Sequence, residues 1–258
     1  MDNGPPHIIS VVNQKGGVGK TTTAVNLASF LAECGHRTLL IDLDPQANST
    51  SGLGIDIDNV HHSLYHLLIE DCPIETVLYA SPFENLHVIP ANTDLAGAEI
   101  ELVDLVSRET ILKNKLESLK PHYSFILIDC PPSLGLLTLN ALCASDYTLI
   151  PVQTEYFALE GLSHLVRTIS LVQEELNPQL KVAGILLTMF DKRTALHRQV
   201  VHDARNFFQE MVFDTIIPRN VRLTEAPSHG LPISLYSPNS KGYHAYLDLA
   251  KEVIERVK

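Results

Sequence analysis

A glycine-rich segment near the amino terminus has the residue types that bind phosphate. It reads Gln14-Lys15-Gly16-Gly17-Val18-Gly19-Lys20-Thr21-Thr22 and directly follows the β-branched run Ile8–Asn13. Glycines let successive backbone N–H groups turn towards one anion, and the first turn of a following helix adds partial positive charge. Lys20 is placed to reach β- and γ-phosphates, and the Thr21 hydroxyl is a ligand that Mg²⁺ accepts. The segment therefore predicts a nucleotide-binding loop.

This loop departs from the usual phosphate-binding pattern GxxxxGK[ST] in two ways. Gln14 stands where the first glycine is expected, and Lys15 adds a second cation inside the loop. Burying an unpaired ammonium in a loop whose other residues face phosphate would be unfavourable, which supports a role for Lys15 at phosphate; the alternative is a solvated loop cation.

Three aspartates follow apolar runs elsewhere in the chain. LLIDLD places Asp42 and Asp44 at the end of one run, and FILIDCPPS places Asp129 at the end of another. Ligands of open α/β sheets collect at the carboxyl ends of the strands, so we expect these carboxylates to lie beside the loop. A carboxylate there suits the Mg²⁺ of a phosphate-binding protein.

The elements that must position these residues alternate along the chain. Several apolar runs are continuously hydrophobic, as is typical of strands covered on both faces by helices. The predicted strands are Ile8–Asn13, Thr38–Asp42, Leu86–Pro90, Phe125–Cys130, Tyr147–Val152, Val182–Met189 and Thr215–Ile217. The predicted helices are Thr22–Cys34, Val60–Asp71, Asp94–Val106, Arg108–Leu119, Leu136–Ala144, Ala158–Leu176, Thr194–Met211 and Tyr243–Val257. We expect an α/β, P-loop NTPase-like fold, a mostly parallel sheet flanked by helices on both faces, in one domain over residues 1–258 with a short tail over residues 1–7.

Composition narrows the class of protein. The 258 residues are 45% hydrophobic and carry 30 acidic against 19 basic side chains, a formal net charge of −11. No apolar run approaches the roughly 20 residues of a membrane span, and the polar start MDNGPPH is not typical of a secretion signal. The four cysteines lack CxxC spacing, which favours a reducing compartment. We expect a cytoplasmic protein.

The longer motifs identify a family resemblance that covers most of the chain. They are the KGGVGKTT loop, Leu39–Thr50, Phe125–Gly135, Thr188–Thr194 and Ile217–Ile233. Together they resemble the deviant Walker-type ATPases of the ParA/Soj/MinD group, and the last segment is similar to the ParA/Soj partition branch.

The resemblance implies a slow ATPase that acts as a switch. Two ATP-bound subunits would form a homodimer with both nucleotides between them, and Lys15 would reach the partner's phosphates as an arginine finger does. Lys20 would hold the phosphates of its own subunit. Asp44 would position the attacking water, and Thr21, Asp129 and Asp44 would form the magnesium site. Pro218 and Asn220 would contact the adenine.

The resemblance also implies partners. Partition ATPases of this kind bind double-stranded DNA without sequence preference as ATP dimers, and a ParB-type centromere-binding protein stimulates hydrolysis. In that branch the arginines at the positions of Arg193 and Arg222 are tied to DNA, and we add the nearby Arg198. Because the net charge repels DNA, binding should need the doubled patch of the dimer and fall with salt. The implied location is the nucleoid, with the cargo being a chromosome or a plasmid.

Two other branches of the group are alternatives. A MinD-like protein would attach to membrane through its carboxyl-terminal helix, but Tyr243–Lys258 has no basic excess, and we expect it to pack on the core without stable membrane association. Iron–sulfur relatives need exposed cysteines at ligand spacing, and we expect all four cysteines here to be ordinary buried ones. Other cargo-positioning ATPases share these motifs.

Overall fold

The computed structural model describes residues 5–155 and 158–257. Its strands are β1 (His7–Val11), β2 (Thr38–Asp42), β3 (Tyr79–Ala80), β4 (Leu86–Ile89), β5 (Phe125–Asp129), β6 (Tyr147–Gln153), β7 (Lys181–Phe190) and β8 (Val212–Pro218). They form one sheet in the order β3-β4-β2-β5-β1-β6-β7-β8. Every pairing is parallel except that of β3 with β4.

Strands β2 and β5 are buried on both faces, which is why their sequences are apolar almost throughout. Every residue of both is buried, because helices cover both faces of the sheet. They pair in register, so their last residues, Asp42 and Asp129, are direct neighbours. Strand β3 was not predicted, since two residues at the edge of the sheet leave no periodic pattern.

The described α-helices differ from the predicted ones mainly in length. They are α1 (Lys20–Glu33), α2 (Asn48–Gly52), α3 (Leu64–Ile69), α4 (Leu95–Glu101), α5 (Ile111–Leu116), α6 (Leu136–Ala144), α7 (Ala158–Glu175), α8 (Ala195–Phe208), α9 (Val221–Glu225), α10 (Ile233–Tyr236) and α11 (Lys241–Arg256). Helix α3 starts later than predicted because Ser63 and His66 form a capping box there. The short helices α2, α9 and α10 were not predicted.

Two apolar clusters cover the two faces of the sheet. One contains residues of α3 to α8, and the other contains residues of α1 and α11. The predicted fold, a mostly parallel sheet with helices on both faces, is therefore confirmed. Within the described residues, no helix is both long enough and apolar enough to cross a membrane.

Helix α11 packs as the sequence predicted. Its stripe of Tyr246, Leu249, Ala250 and Val253 is buried against α1 and β8. The Tyr246 hydroxyl lies 3.2 Å from the Thr23 hydroxyl of α1.

The expectation that all four cysteines are buried is wrong for two of them. Cys130 and Cys143 are buried, Cys72 is partly buried, and Cys34 is exposed. Cys34 caps α1 at a turn completed by Gly35, which places its side chain at the surface.

Candidate nucleotide-binding site

The glycine-rich loop connects the end of β1 to the start of α1. Gly17 and Gly19 have positive φ angles of 74° and 89°, which favour glycine, and Gly19 is the N-cap of α1. A Cβ built on Gly16 or Gly17 meets no described atom within 4 Å, so both backbones face open space. Val18 instead points into the core, and its carbonyl accepts a 2.8 Å hydrogen bond from the Thr188 hydroxyl. The loop is therefore anchored to the core through Val18, while Gly16 and Gly17 face open space.

Lys20 is the first residue of α1 and is only 7% exposed. Its Nζ donates a 3.3 Å hydrogen bond to the Lys15 carbonyl. Burial lowers the pKa of Lys20, while the nearby carboxylates of Asp129 and Asp44 oppose that shift. An anion bound at the loop would add to this opposing effect and would favour the charged ammonium.

Asp42 and Asp129 form a buried pair of carboxyls beneath the loop. Burial, followed by the charge of Asp129, raises the pKa of Asp42 to about 7, against hydrogen bonds from the Thr50 backbone and hydroxyl at 2.8 and 2.7 Å. Burial raises the pKa of Asp129 to about 6, and the Ser49 hydroxyl donates to its Oδ2 at 2.7 Å. Helix α2 thus supplies a hydroxyl to each carboxyl.

The free oxygen of Asp129 identifies the place for a cation. Its Oδ1 is buried and accepts no hydrogen bond within the described part of the chain. The Thr21 side chain lies beside this carboxyl, and Lys20 and Asp44 act on it electrostatically. A buried, unpaired carboxylate oxygen next to a hydroxyl provides the oxygen ligands that Mg²⁺ prefers, so these residues fit the ion.

Asp44 lies two residues beyond β2 and is 8% exposed. Its Oδ1 accepts a 3.0 Å hydrogen bond from the Gln46 backbone, and its carbonyl accepts one from Ala47. Ala47 has a left-handed φ of 53°, which turns the chain into α2. The side chain of Asp44 is therefore held at the rim of the site by a tight turn that the sequence did not reveal.

A cavity of about 800 Å³ extends from the loop to the turn after β8. Of the predicted site residues, it is lined by Gly16, Gly17, Gly19, Lys20, Thr21, Thr22, Asp44, Pro218 and Asn220. Its volume is in the range of about 300–1,000 Å³ typical of small-ligand sites. Most of the predicted phosphate, magnesium and adenine residues are thus brought to one cavity, with Asp129 buried beside its lining residue Thr21. Lys15 and Val18, also predicted for the phosphate loop, do not line it.

Some lining residues were not predicted. Thr188, Met189, Thr224 and Tyr246 also line the cavity. Thr188 opens the segment TMFDKRT, and its hydroxyl is the one bound by Val18. The sequence contained the motif, but the contact of the Thr188 hydroxyl with Val18 could be known only once β7 was seen to lie beside the loop.

Lys15 does not line this cavity. Its Nζ lies 2.9 Å from Glu155 Oε2, and the two side chains are 48% and 49% exposed. The backbone is held by Asn13, whose Oδ1 accepts from the Lys15 N–H at 2.9 Å and whose Nδ2 donates to the Pro151 carbonyl at 2.7 Å. Glu155 was not predicted, because the pair joins residues 140 positions apart in sequence.

Comparison with known proteins agrees with this geometry. A family model described as an AAA domain matches residues 6–182. The chain is 58% identical over 246 residues to the sporulation initiation inhibitor protein Soj of Bacillus subtilis (strain 168). The aligned region covers 95% of this chain and 97% of that protein. It is 55% identical over 249 residues to the chromosome partitioning protein ParA of Myxococcus xanthus (strain DK1622), at 96% and 88% coverage. The chain belongs to the Soj/ParA family of chromosome-partitioning ATPases.

A solved structure extends the comparison to ligands. The cobyrinic acid a,c-diamide synthase of Mycobacterium smegmatis, described with a bound ATP analogue and magnesium, is 38% identical and superposes with a TM-score of 0.85. It covers 97% of this Soj/ParA chain, which in turn covers 95% of it. Nucleotide and Mg²⁺ are therefore ligands of this fold among relatives of the family.

The two arginines that the family resemblance ties to DNA, and the added Arg198, lie at the same edge of the sheet, beyond the cavity. Arg193 follows β7 and forms a two-point ion pair with Asp191, at 3.0 Å to Oδ1 and 2.7 Å to Oδ2. Arg222 lies on α9, and its Nη1 is 2.8 Å from Glu225 Oε2. Arg198 lies on α8 and donates to the Lys192 carbonyl at 2.6 Å. All three are surface side chains with local partners.

Proposed function

We propose that this Soj/ParA chain is an ATP-dependent dimerising switch. The ATP dimer binds DNA without sequence preference, and a ParB-type centromere-binding protein stimulates its slow hydrolysis during chromosome or plasmid partition. The observation that carries the proposal is one cavity shared by the glycine-rich loop, Asp44 and the turn after β8, in a chain 58% identical to a Soj protein. The chain acts as one domain over residues 1–258, in the cytoplasm and on the nucleoid.

The residues of the cavity have separate roles in ATP binding and hydrolysis. Backbone N–H groups of the loop and the start of α1 bind the phosphates of ATP, and Lys20 neutralises their charge. Asp44 orients the attacking water from the rim of the cavity. Mg²⁺, when bound, neutralises charge on the phosphates, with Thr21, Asp129 and Asp44 as its site. Pro218 and Asn220, at the far end of the cavity, contact the adenine.

Lys15 completes the site of a second subunit. Its side chain is half exposed and does not line the cavity of its own subunit, which suits a group that acts on another molecule. In the ATP dimer Lys15 leaves Glu155 and reaches the partner's phosphates, where it stabilises the charge that develops during hydrolysis. Hydrolysis therefore depends on dimer formation.

The DNA surface consists of Arg193, Arg198 and Arg222. Two of these arginines are ion-paired with Asp191 and Glu225, and both pairs are exposed. Exposed pairs contribute only about 0–1 kcal/mol, so phosphates compete for the guanidinium groups at little cost. Doubling the surface in a dimer provides the affinity that one copy lacks.

The membrane-attached alternative has little support from the carboxyl-terminal helix. A membrane-binding amphipathic helix must present its apolar stripe to lipid. In α11 that stripe is buried against α1 and β8. Membrane attachment by α11 would first require its removal from the core.

Fluorescence anisotropy of a random-sequence duplex at low salt tests the proposal. The protein is titrated with ATP–Mg²⁺ or ADP–Mg²⁺, and we expect tighter binding with ATP that weakens as salt is raised. Absence of binding in both nucleotide states would contradict the DNA role. Sedimentation with anionic liposomes in parallel would then test the membrane alternative.

A further inference from the structure

A second cavity, of about 480 Å³, lies at the opposite edge of the sheet. It is formed where β1, β5, β6 and β7 begin, whereas the nucleotide cavity is at their carboxyl ends. Its lining includes His7, His36, Phe125, Asp146, Tyr147 and Lys181. Its volume is also in the range of small-ligand sites, and none of the predicted nucleotide or DNA residues lines it.

Flat rings form the walls of this cavity. The His7 and His36 rings lie 5.4 and 5.1 Å from the ring of Phe125, and His7 is 6.1 Å from Tyr147. Phe125 is 3% exposed and so forms a fixed floor. Such a set of rings favours a planar aromatic body, which can stack on one ring and meet another edge to face.

The charges at the cavity favour an anion. Lys181 has no ion pair among the described residues, and its Nζ lies 5.9 Å from the centre of the Tyr147 ring. Lys120 has only an exposed partner, Glu117, at 2.6 Å. The one carboxylate among the lining residues that the structure describes, Asp146, accepts a 2.9 Å hydrogen bond from the Ile8 N–H through Oδ2.

We propose that this cavity binds a small anion with a flat aromatic or heteroaromatic body. The body packs against Phe125, Tyr147 and His36, and the anionic group lies towards Lys181. Aromatic carboxylates and nucleoside monophosphates share this chemistry. The site is independent of the proposed function, because its residues lie at the other edge of the sheet and its test measures binding alone.

Saturation-transfer NMR with two probes tests this site. The probes are naphthalene-2-carboxylate and AMP, each titrated onto protein saturated with ADP–Mg²⁺ so that the nucleotide cavity is occupied. We expect one or both to bind with a Kd below about 1 mM, and the neutral naphthalene-2-methanol to bind at least about fivefold more weakly than the carboxylate. Which probe binds distinguishes a carboxylate from a phosphate ligand.

Charge substitutions at position 181 decide whether binding occurs in this cavity. Lys181→Gln should weaken the bound probe by about five- to tenfold and Lys181→Glu by more. Lys241→Gln, at the start of α11, should leave the probe's Kd unchanged and is the control for loss of one surface charge. Retained ADP binding shows that each variant is folded. Binding of neither probe, or equal binding by wild type and Lys181→Gln, would overturn the proposal.

Discussion

Asp42 and Asp129 in the nucleotide site are fully buried, whereas the Arg193 side chain at the end of β7 is 84% exposed. Both regions lie at the carboxyl edge of one sheet. In the first, each carboxyl has a hydroxyl partner supplied by α2. In the second, each ion pair is formed by residues two or three positions apart at the surface. In the buried region the fold determines the partner of each side chain. In the exposed region a side chain can exchange its partner for another charged group.

This difference separates the expected effects of mutations. A change in the buried region alters nucleotide chemistry or stability, because its groups have no water to replace a lost partner. A change in the arginine surface alters an equilibrium that depends on salt, because its groups are already hydrated.

The largest effect is expected for Lys20→Ala. This variant removes the buried ammonium that interacts with Asp129 and Asp44 and donates to the Lys15 carbonyl, so the phosphates lose their main cation and the carboxylates repel them. ATP affinity measured by calorimetry should fall by about 100-fold or more. Lys241→Ala, which removes a surface lysine, should bind ATP as wild type does. If the ATP affinity of Lys20→Ala were unchanged, the phosphates would not bind beside Lys20 and the proposed site would be wrong.

Asp44→Ala should affect turnover while sparing binding. Asp44 lies at the rim of the cavity. Alanine loses the hydrogen bond from the Gln46 N–H to the carboxylate, but the turn keeps the bond from the Ala47 N–H to the main-chain carbonyl of residue 44, and no residue of the glycine-rich loop is changed. The rate of ATP hydrolysis should fall on the order of 100-fold, while ATP binds and the dimer accumulates. Steady-state ATPase assays and sedimentation with ATP measure both. Asp58→Ala is an exposed aspartate control; normal turnover of Asp44→Ala would exclude its assigned role.

Thr50→Val tests the buried region without touching the phosphates. The Thr50 hydroxyl donates to Asp42 at 2.7 Å and accepts from the Ala91 N–H at 3.1 Å, so valine leaves two buried groups short of a partner. The free energy of unfolding should fall by about 2 kcal/mol, as measured by urea denaturation. Thr76→Val removes an exposed hydroxyl that donates to the Pro73 carbonyl, and should change stability much less. Equal effects would mean that burial does not distinguish the two sites.

Arg222→Glu tests the exposed region. The reversed charge repels both DNA and Glu225, and the dimer carries it twice, so DNA affinity with ATP should fall about tenfold or more and the salt dependence should become shallower. ATPase activity without DNA should be unchanged. Lys113→Glu, on α5 in the other half of the sheet, makes the same charge change away from this surface. Unchanged DNA affinity of Arg222→Glu would move the DNA surface elsewhere.

The same contrast explains what the sequence could predict. The loop, Asp42, Asp44 and Asp129 were placed correctly relative to the strands because parallel strands bring their carboxyl ends to one edge. The hydroxyls of Ser49 and Thr50 were not predicted, since α2 is a five-residue helix whose start depends on a left-handed Ala47. Local motifs therefore located the chemistry, but the contacts that orient it join strands and loops far apart in sequence.

Lys15 is the clearest example of that limit. The sequence predicted a role at phosphate for this lysine, whereas the structure pairs it with Glu155, 140 positions away on the segment after β6. No periodicity or motif pairs these two residues, because the contact exists only once β1 and β6 are neighbours. The partner that matters for function, the phosphates of a second subunit, is a proposal for the same reason.

The smallest effect is expected for Glu155→Gln. This variant concerns both regions of the comparison, because the partner of Glu155, Lys15, belongs to the nucleotide-binding loop but has an exposed side chain. Loss of a half-exposed ion pair should change the free energy of unfolding by less than about 0.5 kcal/mol. If Lys15 must leave Glu155 to reach the partner's nucleotide, the ATP dimer should form at a concentration a few-fold lower, about fivefold at most. Sedimentation with ATP in the Asp44→Ala background measures this without turnover. Glu117→Gln breaks a similar exposed pair with Lys120 and should have no effect; a dimer weakened by Glu155→Gln would instead mean that Glu155 is itself a contact between subunits.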